Sequence, residues 1–193
     1  INMIANQYAF LIDAKSEELT TSPIILYDIV NGKIMSEYQE VKNYGIGIEN
    51  EYYIVKNNQG LWGVIQFSDG VNVKIPFNYD YIGLSNNTTD ESLIDSAAFA
   101  ILSDNNWSLI DINRKKLTTN FVEKIVTYND KYVILGNQDD MHLVDYEGNN
   151  YLNGLYKNLS FYNKYLKIID NNDIFYLYDL TNNKILSQTH SVK

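Results

Sequence analysis

The sequence predicts an all-β repeat protein. Three observations carry that expectation: a composition suited to sheets, one strand order that recurs five times, and turn residues in every break between apolar runs. The 193-residue chain holds 17 Tyr and 7 Phe but only 2 Pro. Tyr, Ile and Val suit a pleated, half-buried surface, and the Asn-, Asp- and Gly-rich breaks between them suit tight turns.

Each unit runs in the same order. An apolar first strand begins at Tyr8, Tyr52, Ala98, Tyr132 and Tyr165. After an Asn/Asp-rich break, a second strand covers 25–29, 62–67, 107–112, 141–146 and 175–180. A polar residue stands near its end, at Asp28, Gln66, Asp111, Asp145 and Asp179, at spacings of 38, 45, 34 and 34 residues. A turn and a short third strand follow, at 33–35, 73–77, 115–117, 150–152 and 184–186. A fourth segment then leads into the next unit, at 37–41, 79–84, 122–126 and 155–161. The last unit has no such segment after it, whereas Ile1, Met3 and Ile4 stand before Tyr8 as Ile125 and Val126 stand before Tyr132. The expected domain is therefore a single repeat array over 1–193, with units 8–43, 52–84, 98–127, 132–161 and 165–188, the last completed by 1–4. Four short strands per unit of about 40 residues match a β-propeller blade, which predicts a five-bladed propeller closed by the N-terminal strand. The alternative with the same period is an open stack of β-hairpins or a solenoid. Helix is expected at most over 90–98, where Thr89 or Asp90 could cap two turns.

Composition restricts function before any motif does. Asp and Glu outnumber Lys and Arg by 24 to 15, a net charge of −9, which disfavours nucleic acid and anionic lipid surfaces as partners. No apolar run approaches the roughly 20 residues that cross a bilayer, so no membrane insertion is expected. There is no cysteine, hence no disulfide or thiolate chemistry. The opening Ile-Asn-Met suits a trimmed chain, which leaves room for a larger protein or a removed targeting segment.

The second unit carries a family resemblance. Gly60-Leu61-Trp62-Gly63-Val64-Ile65, then Asp69-Gly70, then Ile75-Pro76-Phe77-Asn78-Tyr79-Asp80-Tyr81-Ile82 resembles the WG (KWG) repeat, common in bacterial proteins. The third unit keeps Trp107 but has Ser108 in place of the glycine. The resemblance implies tandem β units without an assigned chemistry, often in exported proteins. It therefore favours an exported or cell-surface bacterial setting over a cytoplasmic one, and it carries over no catalytic residue.

Residues that could do chemistry have simpler structural readings. Trp62 and Trp107 occupy matching repeat positions and are read as packing, since Met141 and Phe175 stand at the equivalent sites. Asp28, Asp111, Asp145 and Asp179 could suggest paired carboxylates of a glycosidase, but equivalent residues fall in different units, too far apart for one sugar ring. Asp at a strand end is instead expected to accept backbone N–H groups of its turn. His142 and His190 cannot build a zinc site, and the Asn/Asp breaks lack the calcium-loop pattern, so no metal, cofactor or catalytic residue is expected. The reading that remains is a non-catalytic binding or interaction module for a protein or glycan. Its candidate contacts are Tyr44, Tyr52, Asp69 and Asp90, beside the connections 44–51, 68–72 and 83–97. The alternative is a carbohydrate-active protein, a lectin or a glycosidase. Far-UV circular dichroism should show a β-dominated spectrum; a dominant helical signature would overturn the five-fold strand reading.

Overall fold

The computed structural model describes residues 2–4, 7–12, 23–44, 52–68, 70–83, 98–137 and 139–190. These residues form strands and turns, with no helix among them. The candidate helix at 90–98 lies outside the described residues apart from Ala98, which opens a strand. Five small antiparallel sheets follow one another along the chain.

The first sheet is β1 (Asn2–Ile4), β2 (Tyr8–Ile12), β3 (Ile24–Asp28) and β4 (Lys33–Tyr38), paired in that order. The second is β5 (Glu40–Tyr44), β6 (Tyr52–Lys56), β7 (Trp62–Ser68) and β8 (Gly70–Tyr79). The third pairs β9 (Tyr81–Gly83), β10 (Ala98–Ser103) and β11 (Asn106–Asp111). The fourth is β12 (Ile125–Tyr128), β13 (Tyr132–Asn137) and β14 (Asp140–Asp145). The fifth is β15 (Asn158–Tyr162), β16 (Tyr165–Ile169), β17 (Ile174–Asp179) and β18 (Lys184–His190). The chain divides into two compact units, Ile1–Ile82 and Gly83–Lys193.

Two expectations need correction. The expected completion of the last unit by 1–4 does not occur in the described part, 2–4: β1 pairs with β2, Met3 opposite Ala9, and the fifth sheet already has four strands of its own. The segment before each first strand belongs to the sheet that follows it, as β5 with β6, β12 with β13 and β15 with β16. A hairpin partner a few residues away closes a far smaller loop than one at the other chain end, so local pairing wins. The expected third strands at 115–117 and 150–152 shrink to single bridges, Ile110 to Lys116 and Val144 to Asn150.

The first and last sheets share a local design. Leu26-Tyr27-Asp28 and Leu177-Tyr178-Asp179 each lead through a four-residue turn into Lys-Ile-x-Ser. In both, the register slips between the Leu and the Tyr, so that Tyr27 faces Ile34 and Tyr178 faces Ile185. The extra residues, Met35 and Leu186, lie on the exposed third strand, where a bulge disturbs no core.

Within each compact unit the sheets stack by one rule. The face carrying Asp28, with Tyr8, Phe10 and Leu26, is buried against Tyr53, Val55 and Ile65 of the second sheet. The face carrying Asp111, with Ala98, Ala100 and Leu109, packs on Val133, Leu135 and Val144 of the fourth. The face carrying Asp145, with Ile134, Met141 and Leu143, packs on Leu166, Ile168 and Tyr178 of the fifth. Each Asp-bearing face thus meets the face of the next sheet that lacks the repeat Asp. The inner strands are apolar on both faces for this reason, as in Ile134 and Leu135, which are 0% and 4% exposed. The last strand of the fifth sheet, β18, is exposed over residues 184–189, with Ile185 55% exposed.

Truncating Ile134 to Ala should cost about 2–5 kcal/mol in chemical denaturation, whereas Ile185→Ala should cost less than about 0.5 kcal/mol. Equal costs would overturn this assignment of inside and outside.

Candidate functional site

The recurring carboxylates are tied into turns. Asp145 Oδ1 accepts the backbone N–H groups of Glu147 at 3.0 Å and Asn149 at 2.8 Å, and Asn149 Nδ2 donates to Oδ2 at 2.9 Å. Asp179 Oδ1 accepts from Thr181 at 2.9 Å and Asn182 at 3.0 Å, with Asn182 Nδ2 on Oδ2. Asp28 accepts from Asn31 N at 3.0 Å, Asn31 Nδ2 at 2.7 Å and Gln7 Nε2 at 3.2 Å. Asp111 accepts from Lys115 N at 2.7 Å. The same device closes breaks between first and second strands: Asn57 Oδ1 accepts from Gln59 and Leu61, and Asp170 Oδ1 from Asn172 and Ile174.

The backbone explains why an oxygen is needed there. In four of these turns the third loop residue is left-handed: Gly60, Arg114, Gly148 and Asp173 have φ of 84, 70, 89 and 60°. That residue donates back to the carbonyl three before it, as Gly148 does to Asp145 at 3.1 Å. This leaves neighbouring N–H groups without a backbone acceptor, and a short Asn or Asp side chain supplies one. The sequence signal is Asx followed three residues later by Gly, Asn, Asp or Arg.

Hydrogen bonding also sets the acidity of these groups. The Asn149 side chain, opposed by partial desolvation and helped by backbone N–H groups, holds the Asp145 carboxyl below the usual value. The Asn182 side chain does the same for Asp179 and the Asn31 side chain for Asp28, and the Ile174 N–H lowers Asp170. All favour the ionised form at neutral pH, which suits a turn acceptor and leaves no proton for a general acid.

Both tryptophans are built into packing. Trp62 is 4% exposed, its ring 5.8 Å from that of Tyr81. Lys42 Nζ lies 4.0 Å from the Trp62 ring centroid and 4.2 Å from that of Tyr81, so a cation already covers the indole. Gly63 follows because a Cβ there would meet the Ile75 carbonyl at 2.9 Å and the Phe77 ring at 3.0 Å. Trp107 exchanges two backbone hydrogen bonds with Phe121, at 2.7 and 2.8 Å, and packs on the core between third and fourth sheets. The Lys42 arrangement was not legible in advance, since it joins residues 20 and 39 positions apart through β5, β7 and β9.

Of the candidate contacts, two come together. Tyr44 ends β5 directly opposite Tyr52, which opens β6 and is half-buried. The row continues across the sheet to Gln66 and Asn72. It stands at one end of the second sheet, beside the start of connection 45–51 and the β7–β8 turn. Asp69 and Asp90 lie outside the described residues. His142 Nε2 sits 3.1 Å from Glu123 in a strand interior, and no group of three or more His, Cys, Asp or Glu positioned for a metal occurs among the described residues.

No family model and no curated protein matches this chain. Solved structures resemble it in fold. A eukaryotic initiation factor aligns with a TM-score of 0.50 and 11% identity over 88% of this chain and 49% of its own. The computationally designed Ika8 protein aligns at 0.46 and 13%, over 87% of this chain and 57% of its own. Raptor from Chaetomium thermophilum aligns at 0.44 and 10%, over 89% of this chain and 19% of its own. The chain spans less than two thirds of each of these structures.

The carboxylates give a pH dependence with a definite sign. Their pKa values are lower in the folded than in the unfolded chain, where a carboxyl titrates near about 3.9. The unfolded chain therefore binds more protons as acid is added, and the stability they contribute is complete above that value and lost as pH falls through the folded values. Replacing both Asp145 and Asp179 by Asn should flatten the fall in melting temperature below about pH 4; an unchanged slope would show that these turns do not set acid stability.

Proposed function

We propose that this chain is a non-catalytic binding or interaction module of WG-like β repeats. The observation that carries the reading is the state of the recurring carboxylates. Asp28, Asp145 and Asp179 each accept three hydrogen bonds from their own turns or from Gln7 beside them, so they serve architecture. The tryptophans that might stack on a sugar ring are held by Lys42, Tyr81 and Phe121 instead.

Rigid sheets with variable connections at their ends are suited to recognition. The Tyr44–Tyr52 end of the second sheet is the proposed contact surface. Tyrosine offers an apolar ring and a hydroxyl at low entropic cost, which suits a protein or glycan ligand. The net charge of −9 weighs against nucleic acid.

A fluorogenic glycoside screen run beside a glycan array tests this reading. The expected outcome is no turnover by repurified protein, and any ligand found should bind more weakly to Tyr52→Ala. Turnover that disappears in Asp111→Asn or Asp145→Asn would overturn it in favour of a glycosidase.

A further inference from the structure

The fourth sheet has three strands, and segment 150–152 runs beside β14 without becoming a fourth. Its main chain is held there through the Val144–Asn150 bridge and the Tyr151 N–H, which donates to the Leu143 carbonyl at 2.9 Å. Side chains add a closer contact. Tyr151 lies against Tyr132, the first residue of β13, with ring centroids 4.4 Å apart and ring planes at 52°. Aromatic neighbours usually keep their centroids about 4.5–7 Å apart, so this pair stands at the close limit. Both rings pack against the core between the fourth and fifth sheets, wholly within Gly83–Lys193.

The hydroxyls fix how the two rings meet. The Tyr132 hydroxyl is hydrogen-bonded to that of Tyr151, and the Tyr151 O–H donates to the Leu180 carbonyl at 3.2 Å. Burial, together with that bond, pushes the Tyr132 phenol up to about 12, so it keeps its proton at neutral pH. The backbone holds Tyr132 in turn: its N–H donates to Asn129 Oδ1 at 2.8 Å, and it pairs with Asp145 across the hairpin. Two phenols bonded hydroxyl to hydroxyl at this separation turn the carbons beside those hydroxyls toward each other. That is the orientation from which a carbon–carbon bond forms. Tyr8, Tyr38 and Tyr53 pack instead on Phe67, Phe77 and Phe10, rings that carry no phenol.

We propose that Tyr132 and Tyr151 form a site of oxidative modification, where an external one-electron oxidant joins them as dityrosine and staples segment 150–152 to β13. Each phenol gives one electron to the oxidant and its hydroxyl proton to water. The two phenoxyl radicals combine through the ring carbons beside their oxygens. The hydrogens on those carbons then move to the oxygens, which restores two phenols. The product has lost two hydrogens in all, as two protons and two electrons. The new bond closes a loop from 132 to 151 across the β13–β14 hairpin, where main-chain pairing is sparse.

Brief illumination of the full chain at low-micromolar concentration, with a photo-oxidised ruthenium tris-bipyridine complex and persulfate, tests the site. The intact mass should fall by two hydrogens, with the blue fluorescence of dityrosine. Digestion should yield a peptide that links Tyr132 to Tyr151 as the main cross-link. Tyr132→Phe and Tyr151→Phe, with circular dichroism to confirm that both fold, should each lose that peptide. The linked chain should melt several degrees above the unlinked one, because the closed loop restricts its unfolded state. Oxygen added to single rings, or links that mainly join other members of the 17 tyrosines or separate copies, would overturn the assignment. That mapping is made on the unaltered chain, so it stands whether or not a variant folds. A linked chain that melts no higher than the unlinked one would overturn the staple.

Discussion

Everything in this chain depends on a sheet of three or four short strands being unable to stand alone. Isolated strands of five or six residues bury too little to offset the ordering of their backbone, so each sheet needs another against its face. The stacking of an Asp-bearing face on the opposite face of the next sheet meets that need three times over. It explains why the inner strands are apolar on both sides. Ile134 and Leu135, adjacent in β13 and pointing to opposite faces, are 0% and 4% exposed.

Stacking at close range leaves little chain for the connections, and the turns bear that constraint. A three-residue turn ending in a left-handed residue reverses the strand but strands two N–H groups near the core. The Asx oxygen satisfies them without an extra residue. The carboxylate recurs in four of the five units, at Asp28, Asp111, Asp145 and Asp179, with Gln66 in the second, and its periodic spacing reflects architecture instead of chemistry. The same reasoning removes the tryptophans from the list of ligand platforms. Gly63 lets the backbone of β8 approach, Lys42 lies over the Trp62 ring, and Trp62 is 4% exposed.

Much of this was legible in the residues. The strand order, the number of units and the turn role of the breaks follow from alternation and Asx chemistry, which are local. The pairing of the leading segments was not. Ile1, Met3 and Ile4 have the same apolar character whether they pair with β2 or with β18, and strand sequence alone does not choose between a near and a distant partner. The short third strands at 115–117 and 150–152 look no different in sequence from 184–186, yet only the last becomes part of a strand. The row of Tyr44, Tyr52, Gln66 and Asn72 depends on register, which one slipped residue would dissolve.

By itself, then, the sequence determined an all-β array of five units, an acidic surface and the chemistry of its turns, because these rest on composition and on contacts between residues three to five apart. Only the tertiary structure decided which strand joins which sheet and which sheet faces meet within each compact unit. Those outcomes turn on pairing and packing between residues far apart in the chain, where many apolar strands compete as partners and only geometry separates them.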